Sequence, residues 1–92
     1  MNTFKECIEC NAVREITKDF GKINYLIKTA NSRIKFLKTN NISKDNVNFI
    51  FEGYYSSITE YLHSLSLQKG WKIENHICLG YFLRDYLEFL MI

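Results

Sequence analysis

Val47, Phe51, Tyr54, Ile58, Tyr61 and Leu65 recur at alternating spacings of four and three, and Gln68 continues the spacing. That rhythm places them on one stripe of a helix. Ile50, Tyr55 and Leu62 widen the stripe beyond a narrow coiled-coil seam. The helix therefore reads as the central member of a bundle, touching neighbours on more than one side. Ser43, Asp45 and Asn46 supply N-cap chemistry ahead of it. Gly70 can take the left-handed conformation that closes a helix, with Trp71 folding back as the apolar contact of the cap.

Upstream, Val13, Ile16, Phe20, Ile23, Ile27, Ala30, Ile34 and Leu37 keep the same spacing and predict a first long helix. It starts anywhere between Asn11 and Asp19, since Thr17 and Asp19 are also cap types. Residues 1–11 read as a lead-in of one or two helical turns with Phe4 and Ile8 on one face. The polar stretch Thr39–Lys44 is short, so the two long helices should pair as an antiparallel hairpin at a shallow crossing angle. A third helix is expected from Glu74 or Asn75. Ile77, Tyr81, Phe82, Leu83, Tyr86, Leu87, Phe89, Leu90, Met91 and Ile92 make it apolar on most sides, and such a helix must be covered on most sides. The fold class predicted is all-α: an antiparallel up-and-down bundle of two long helices plus a third, C-terminal helix.

Ninety-two residues make one domain, and a chain of this length buries only about 60–65% of its unfolded surface. Against that, 47% of the residues are hydrophobic, more than a small monomer hides comfortably. The excess predicts a homo-oligomer, a dimer or larger. Tyr81, Phe82, Tyr86, Phe89 and Leu90 of the third helix are the expected interface. The pattern ends on Leu-Met-Ile without a stop signal, so either the parent chain continues past Ile92 or a second subunit covers this end.

A net charge of +2 leaves no strong electrostatic footprint for nucleic acid. No apolar run reaches the ~20 residues of a membrane span, and MNTFKECIEC lacks the apolar segment of a signal peptide. An odd number of cysteines suits a reducing cytoplasm, the expected location. Lys18, Lys22, Lys28, Arg33, Lys35 and Lys38 could face RNA phosphates; an ordinary solvated helix face is the favoured reading. The tyrosines could stack RNA bases, but at helical spacing they more often fill a core or an interface.

Two histidines and three cysteines exhaust the remaining chemistry. His76, at a helix start, could orient a substrate or move a proton; a structural first-turn residue is favoured. His63 is expected to be exposed or at an interface. Cys7-x-x-Cys10 with His76-x-Cys78 offers four ligands of zinc type. Residues two apart on a helix point apart, however, so neither a metal nor a cofactor is expected. Buried small-hydrophobe roles are favoured, at least for Cys78.

The run FIFEGYYSSITEYLHSLSLQKGWKIENHICLGYFLRD resembles the HEPN superfamily, specifically its small archaeal and bacterial helical members. Those show a tyrosine-containing helix, a KGY/KGW-type corner, and a helix with a histidine followed by F/Y-L-R-D. The leading stretch Lys5–Lys38 is similar to their first helices. The resemblance implies an up-and-down bundle that commonly dimerises, and it makes His76, Arg84 and Asp85 the candidate functional polar residues. Relatives of that kind include ribonuclease toxins, RNA-processing domains and partners of nucleotidyltransferases. The family's catalytic signature is Arg followed four to six residues later by His, and neither Arg14, Arg33 nor Arg84 is so followed. The expectation is thus a non-catalytic, dimeric HEPN-like binding module acting with RNA or a nucleotidyltransferase-type partner. The alternative is a HEPN ribonuclease whose signature helix lies outside these residues. Residues 1–92 form one such domain, complete or continuing beyond Ile92.

Overall fold

The computed structural model describes residues 2–91, with side chains described as far as Tyr86. Its elements run α1 (Phe4–Glu9), β1 (Val13–Glu15), α2 (Phe20–Leu37), α3 (Val47–Gln68), β2 (Trp71–Ile73) and α4 (His76–Met91). The molecule measures 45 × 29 × 27 Å. The longest element, α3, has 22 residues and extends about 33 Å.

The hairpin forms as expected, with different boundaries. Asp19 is the N-cap of α2, its Oδ1 accepting from the Lys22 backbone N–H at 3.0 Å. Val13 and Ile16 fall outside this helix. Asn11 has a φ of 60°, which turns the chain out of α1, and the β-branched residues that follow enter an extended segment instead. At the other end Asn46 occupies the N-cap of α3 but makes no side-chain cap bond. Its Oδ1 accepts from the Ser43 N–H and its Nδ2 donates to the Asn41 carbonyl, both at 2.8 Å, so it ties the inter-helix loop to itself.

The fold is mostly helical, as expected, with one small two-stranded sheet added to the helices. β1 and β2 pair antiparallel with Val13 opposite Ile73 and Glu15 opposite Trp71. Gly70 makes this possible: at φ 86° it ends α3 and turns the chain, and its carbonyl accepts from the Ile16 N–H at 2.8 Å. Trp71 consequently sits in a strand, and its ring meets the edge of Phe4 at a centroid distance of 5.4 Å. Asn75 then starts α4, its Oδ1 accepting from the N–H groups of Ile77 and Cys78 at 2.8 and 3.2 Å.

Two packed regions hold the chain together. The first is the seam between α2 and α3. Ile23, Ala30 and Leu37 are buried on α2; Ile50, Ser57, Ser64, Ser66 and Leu67 are buried on α3. Gly53 and Ser57 in the middle of α3 are small, so the two backbones approach closely. Ser57 Oγ donates to the Gly53 carbonyl at 3.0 Å and accepts from Arg33 Nη1 at 3.3 Å, and Arg33 is ion-paired to Glu60. The expected stripe is therefore turned away from its partner. Val47, Phe51, Ile58 and Gln68 are exposed, while Tyr54, Tyr61 and Leu65 are half-buried.

The second region is a cluster of Cys7, Val13, Ile73, Cys78, Leu79 and Phe82, joined by Phe4, Leu62, Leu65 and Trp71. It packs α1, the two-stranded sheet and α4 around the C-terminal half of α3. Cys7 and Cys78 are disulfide-bonded with a Cα–Cα distance of 6.1 Å, well within the range such a bond requires. The buried face of α1 is thus Phe4 with Cys7, and Ile8 lies at the surface.

Candidate functional site

The three polar residues singled out in the sequence do not meet. His76 is exposed at the first position of α4, and Arg84 lies eight residues on, about 12 Å along the helix axis. Arg84 and Asp85 instead clasp the N-terminus of α1. Arg84 Nη2 donates to the Asn2 carbonyl at 2.7 Å and Nε to Asp85 Oδ1 at 2.9 Å, and the guanidinium lies 5.0 Å from the Tyr81 ring centroid. Asp85 Oδ2 accepts from the Phe4 N–H at 3.0 Å. That backbone hydrogen bond, followed by the one from Arg84, holds the Asp85 carboxyl below its ordinary pKa.

The expected interface residues are also engaged within the chain. Phe82 is 5% exposed and packs edge-on against Phe4, so it is core, not surface. Tyr86 stacks on Phe82 at 5.9 Å, with the Lys69 ammonium over its ring. Tyr81 is half-buried against the same cluster. As far as Tyr86, α4 packs against α1, the expected lead-in turn, against α3, and against β2, which the periodicity does not announce. Phe89 and Leu90 lie outside the described side chains.

The zinc-type ligand set is dismantled by the disulfide, which commits Cys7 and Cys78 to each other while Cys10 stands at the surface. Among the described residues no three His, Cys, Asp or Glu side chains gather as metal ligands. No helix among them is long and apolar enough to cross a membrane.

Two surface features remain. One is a cleft of about 430 Å³ where α2, α3 and β2 converge, lined by Lys22, Leu26, His63, Leu67, Lys72, Ile73 and Glu74. Leu67 and Ile73 are buried and form its apolar floor. Lys72 Nζ stands 3.6 Å from the Glu74 carboxylate at the rim. His63 is half-buried here; burial lowers its pKa, and the nearby His76 and Lys22 charges lower it further. His63 was the histidine with less promise in the sequence. The available signal was its spacing four residues before Leu67, which puts both on one helix face.

The other feature is the uncovered side of α3. Val47, Phe51, Tyr55 and Ile58 are 43%, 68%, 55% and 54% exposed, and their spacing sets them along one face. The Phe51 and Tyr55 rings stack at 6.5 Å beside a shallow groove of about 320 Å³ that Glu52 and Ser56 complete. Toward α2 the face is bordered by Tyr61, whose hydroxyl donates to Asn31 Oδ1. Toward the C-terminus the same line reaches Leu62, which is packed into the second core. Comparison with known proteins returned no match to the chain, whether among family models, curated proteins or solved structures.

Proposed function

We propose that this protein is a non-catalytic helical interaction module that pairs with a second copy of itself through the exposed stripe of α3. The observation behind this reading is the run Val47, Phe51, Tyr55 and Ile58, apolar and uncovered on a helix that buries Ile50, Ser57, Ser64, Ser66 and Leu67 on another face. Together these side chains offer roughly 400–500 Å² of exposed surface, the size at which a patch on a small soluble protein ceases to be ordinary. It is more than half of the ~800 Å² per partner of a standard interface, and the bordering tyrosines extend it.

A second copy is the occupant that this face suits. The four stripe side chains carry no charge, and Glu52 at the edge of the groove is the carboxylate that twofold-related copies must keep at the wet rim. Two antiparallel hairpins laid face to face close into a four-helix bundle, with each stripe in the new core. That arrangement also gives α3 the several-sided cover that its wide apolar pattern demands.

The HEPN-like character, with RNA or a nucleotidyltransferase-type protein as further partner, enters the proposal through the sequence resemblance. Arg33 is spent on Glu60 and Ser57, which removes one cation from the suggested phosphate-facing set. The ribonuclease alternative draws no support from Arg84, whose guanidinium is bound to the Asn2 carbonyl just ahead of α1 and to Asp85. A cytoplasmic location belongs to the same proposal through the sequence reading alone; the Cys7–Cys78 disulfide is a feature more usual of oxidising compartments and does not add to it.

The test is sedimentation equilibrium or light scattering of the purified chain and of Phe51→Glu. The wild type should run as a dimer and Phe51→Glu as a folded 10.9 kDa monomer. A wild-type monomer at 100 µM, roughly the weak limit for a specific dimer, would overturn the proposal. A dimer indifferent to both Phe51→Glu and Ile58→Glu would do so too.

A further inference from the structure

We propose that the cleft between α2, α3 and β2 binds a small molecule that joins a phosphate group to an apolar body. The inference does not depend on the dimer, because it stands on different residues.

The cleft's size comes first. About 430 Å³ lies within the range of small-molecule sites and far above a trapped water or ion. Its lining then divides by chemistry. Leu26, Leu67 and Ile73 provide an apolar floor, while Lys22 comes from α2 and Lys72 from β2. No carboxylate lies within ion-pair distance of Lys22 among the described residues. Lys72 has Glu74 at 3.6 Å, but the Glu74 side chain is 79% exposed and can turn to solvent when a stronger anion arrives.

Two lysines against one glutamate leave the cleft cationic even with both histidines neutral. His63 adds an ionisable donor in its wall, and His76 on α4 acts on it electrostatically. The one hydroxyl in the lining, Ser66 Oγ, is turned back to the His63 carbonyl at 2.9 Å. Recognition therefore falls to cations, the groups that suit phosphate best. The groups that face His63 are Lys22 from α2, Lys72 and Glu74 from the strand and its end, and His76 from α4. A bound dianion reverses the sign of this surrounding and favours protonated His63. Binding of a phosphate monoester as its dianion should accordingly take up protons at His63 and strengthen as pH falls from 7.5 to about 6.5, above the second ionisation of the ligand near 6.

The experiment follows the His63 and His76 ring protons by NMR during titration with inorganic phosphate and with phenyl phosphate. Phenyl phosphate should bind about tenfold more tightly, because only it covers the apolar floor. It should also raise the His63 pKa by roughly one unit, the effect of replacing cationic neighbours by an anion. Lys22→Ala should weaken binding about tenfold or more, and Lys22→Arg should recover most of it. Far-ultraviolet circular dichroism and the unchanged amide spectrum away from the cleft show that each variant is folded. Equal affinity for both probes would overturn the apolar-body assignment. A His63 pKa unmoved by either probe at 10 mM, about the weakest affinity of physiological use, would overturn the site. So would an equal response in Lys22→Ala. A short RNA oligomer that displaces phenyl phosphate and binds with a steep salt dependence would reassign the cleft to nucleic acid.

Discussion

Leu37 fills the space that a side chain at position 53 would need. A Cβ built on Gly53 would come within 2.8 and 2.9 Å of the two Leu37 methyl carbons, closer than real Cβ contacts allow. Glycine here does not serve a turn; it lets α3 lie against α2.

That relationship predicts a non-additive pair. Gly53→Ala alone gains up to about 1 kcal/mol of helix propensity but loses about 1–3 kcal/mol to overpacking. It should leave stability unchanged or lower it. In a Leu37→Ala background the clash is gone and the same change should stabilise by about 1 kcal/mol. A double-mutant cycle in urea measures the coupling. Additive effects would show that Leu37 does not limit the approach of the helices.

The seam also explains which parts of the fold the sequence disclosed. The hairpin was legible because α2 and α3 are long and periodic, and Gly70 because only its φ permits the corner. The buried face of α3 was not. On a helix with a wide apolar stripe large residues draw attention, yet between Ile50 and Leu67 the contact is made by Gly53, Ser57 and Ser64. The strands were hidden for another reason. Each has three residues, and their pairing joins Val13 to Ile73 across most of the chain. The Cys7–Cys78 pairing, separated by 71 positions, is equally invisible to local spacing. The cleft went unread because it needs that same sheet to bring Lys72 to His63.

The disulfide should carry a large share of the stability of the second core. Closing a loop of about 70 residues restricts the unfolded chain by roughly 4 kcal/mol. Reduction with dithiothreitol should therefore lower the melting temperature by well over 10 °C, given about 4–8 °C per kcal/mol for a domain of this size. Cys7→Ser and Cys78→Ser should match the reduced protein, and Cys10→Ser should behave as wild type. A melting temperature indifferent to reductant would remove the disulfide from the account. Alkylation of protein trapped inside its own cells, read by mass spectrometry, shows whether the bond survives there.

Asp85 links acid stability to the docking of α1. Its carboxyl is held below the ordinary value of 3.8, chiefly by the Phe4 N–H. A carboxylate with a lowered folded pKa contributes stability that is present above its unfolded value and lost as pH falls through the folded one. Asp85→Asn should leave the protein less stable at pH 7 and flatten its acid unfolding below pH 4, about where unfolded carboxyls titrate. Hydrogen exchange of the α1 amides should speed up in the same variant. Unaltered exchange there would mean that Arg84 and Asp85 do not fasten α1.

His63 sets a second pH dependence, in a different window. Burial, His76 and Lys22 all lower its pKa from 6.5 in the folded protein. Between the lowered value and 6.5 the unfolded chain binds more protons, so stability rises with pH. The full contribution is present above 6.5 and is lost as pH falls through the folded value. His63→Gln cannot take up that proton and should remove the slope that sets in below pH 6.5, while Asp85→Asn should leave it untouched. A saturating anion in the cleft should remove it as well, because a bound phosphate favours the protonated ring that the free cleft disfavours. Denaturant midpoints at four or five pH values, with and without phenyl phosphate, separate the two effects. If the slope persists in His63→Gln, it originates from another group, and the charge arrangement assigned to the cleft is wrong.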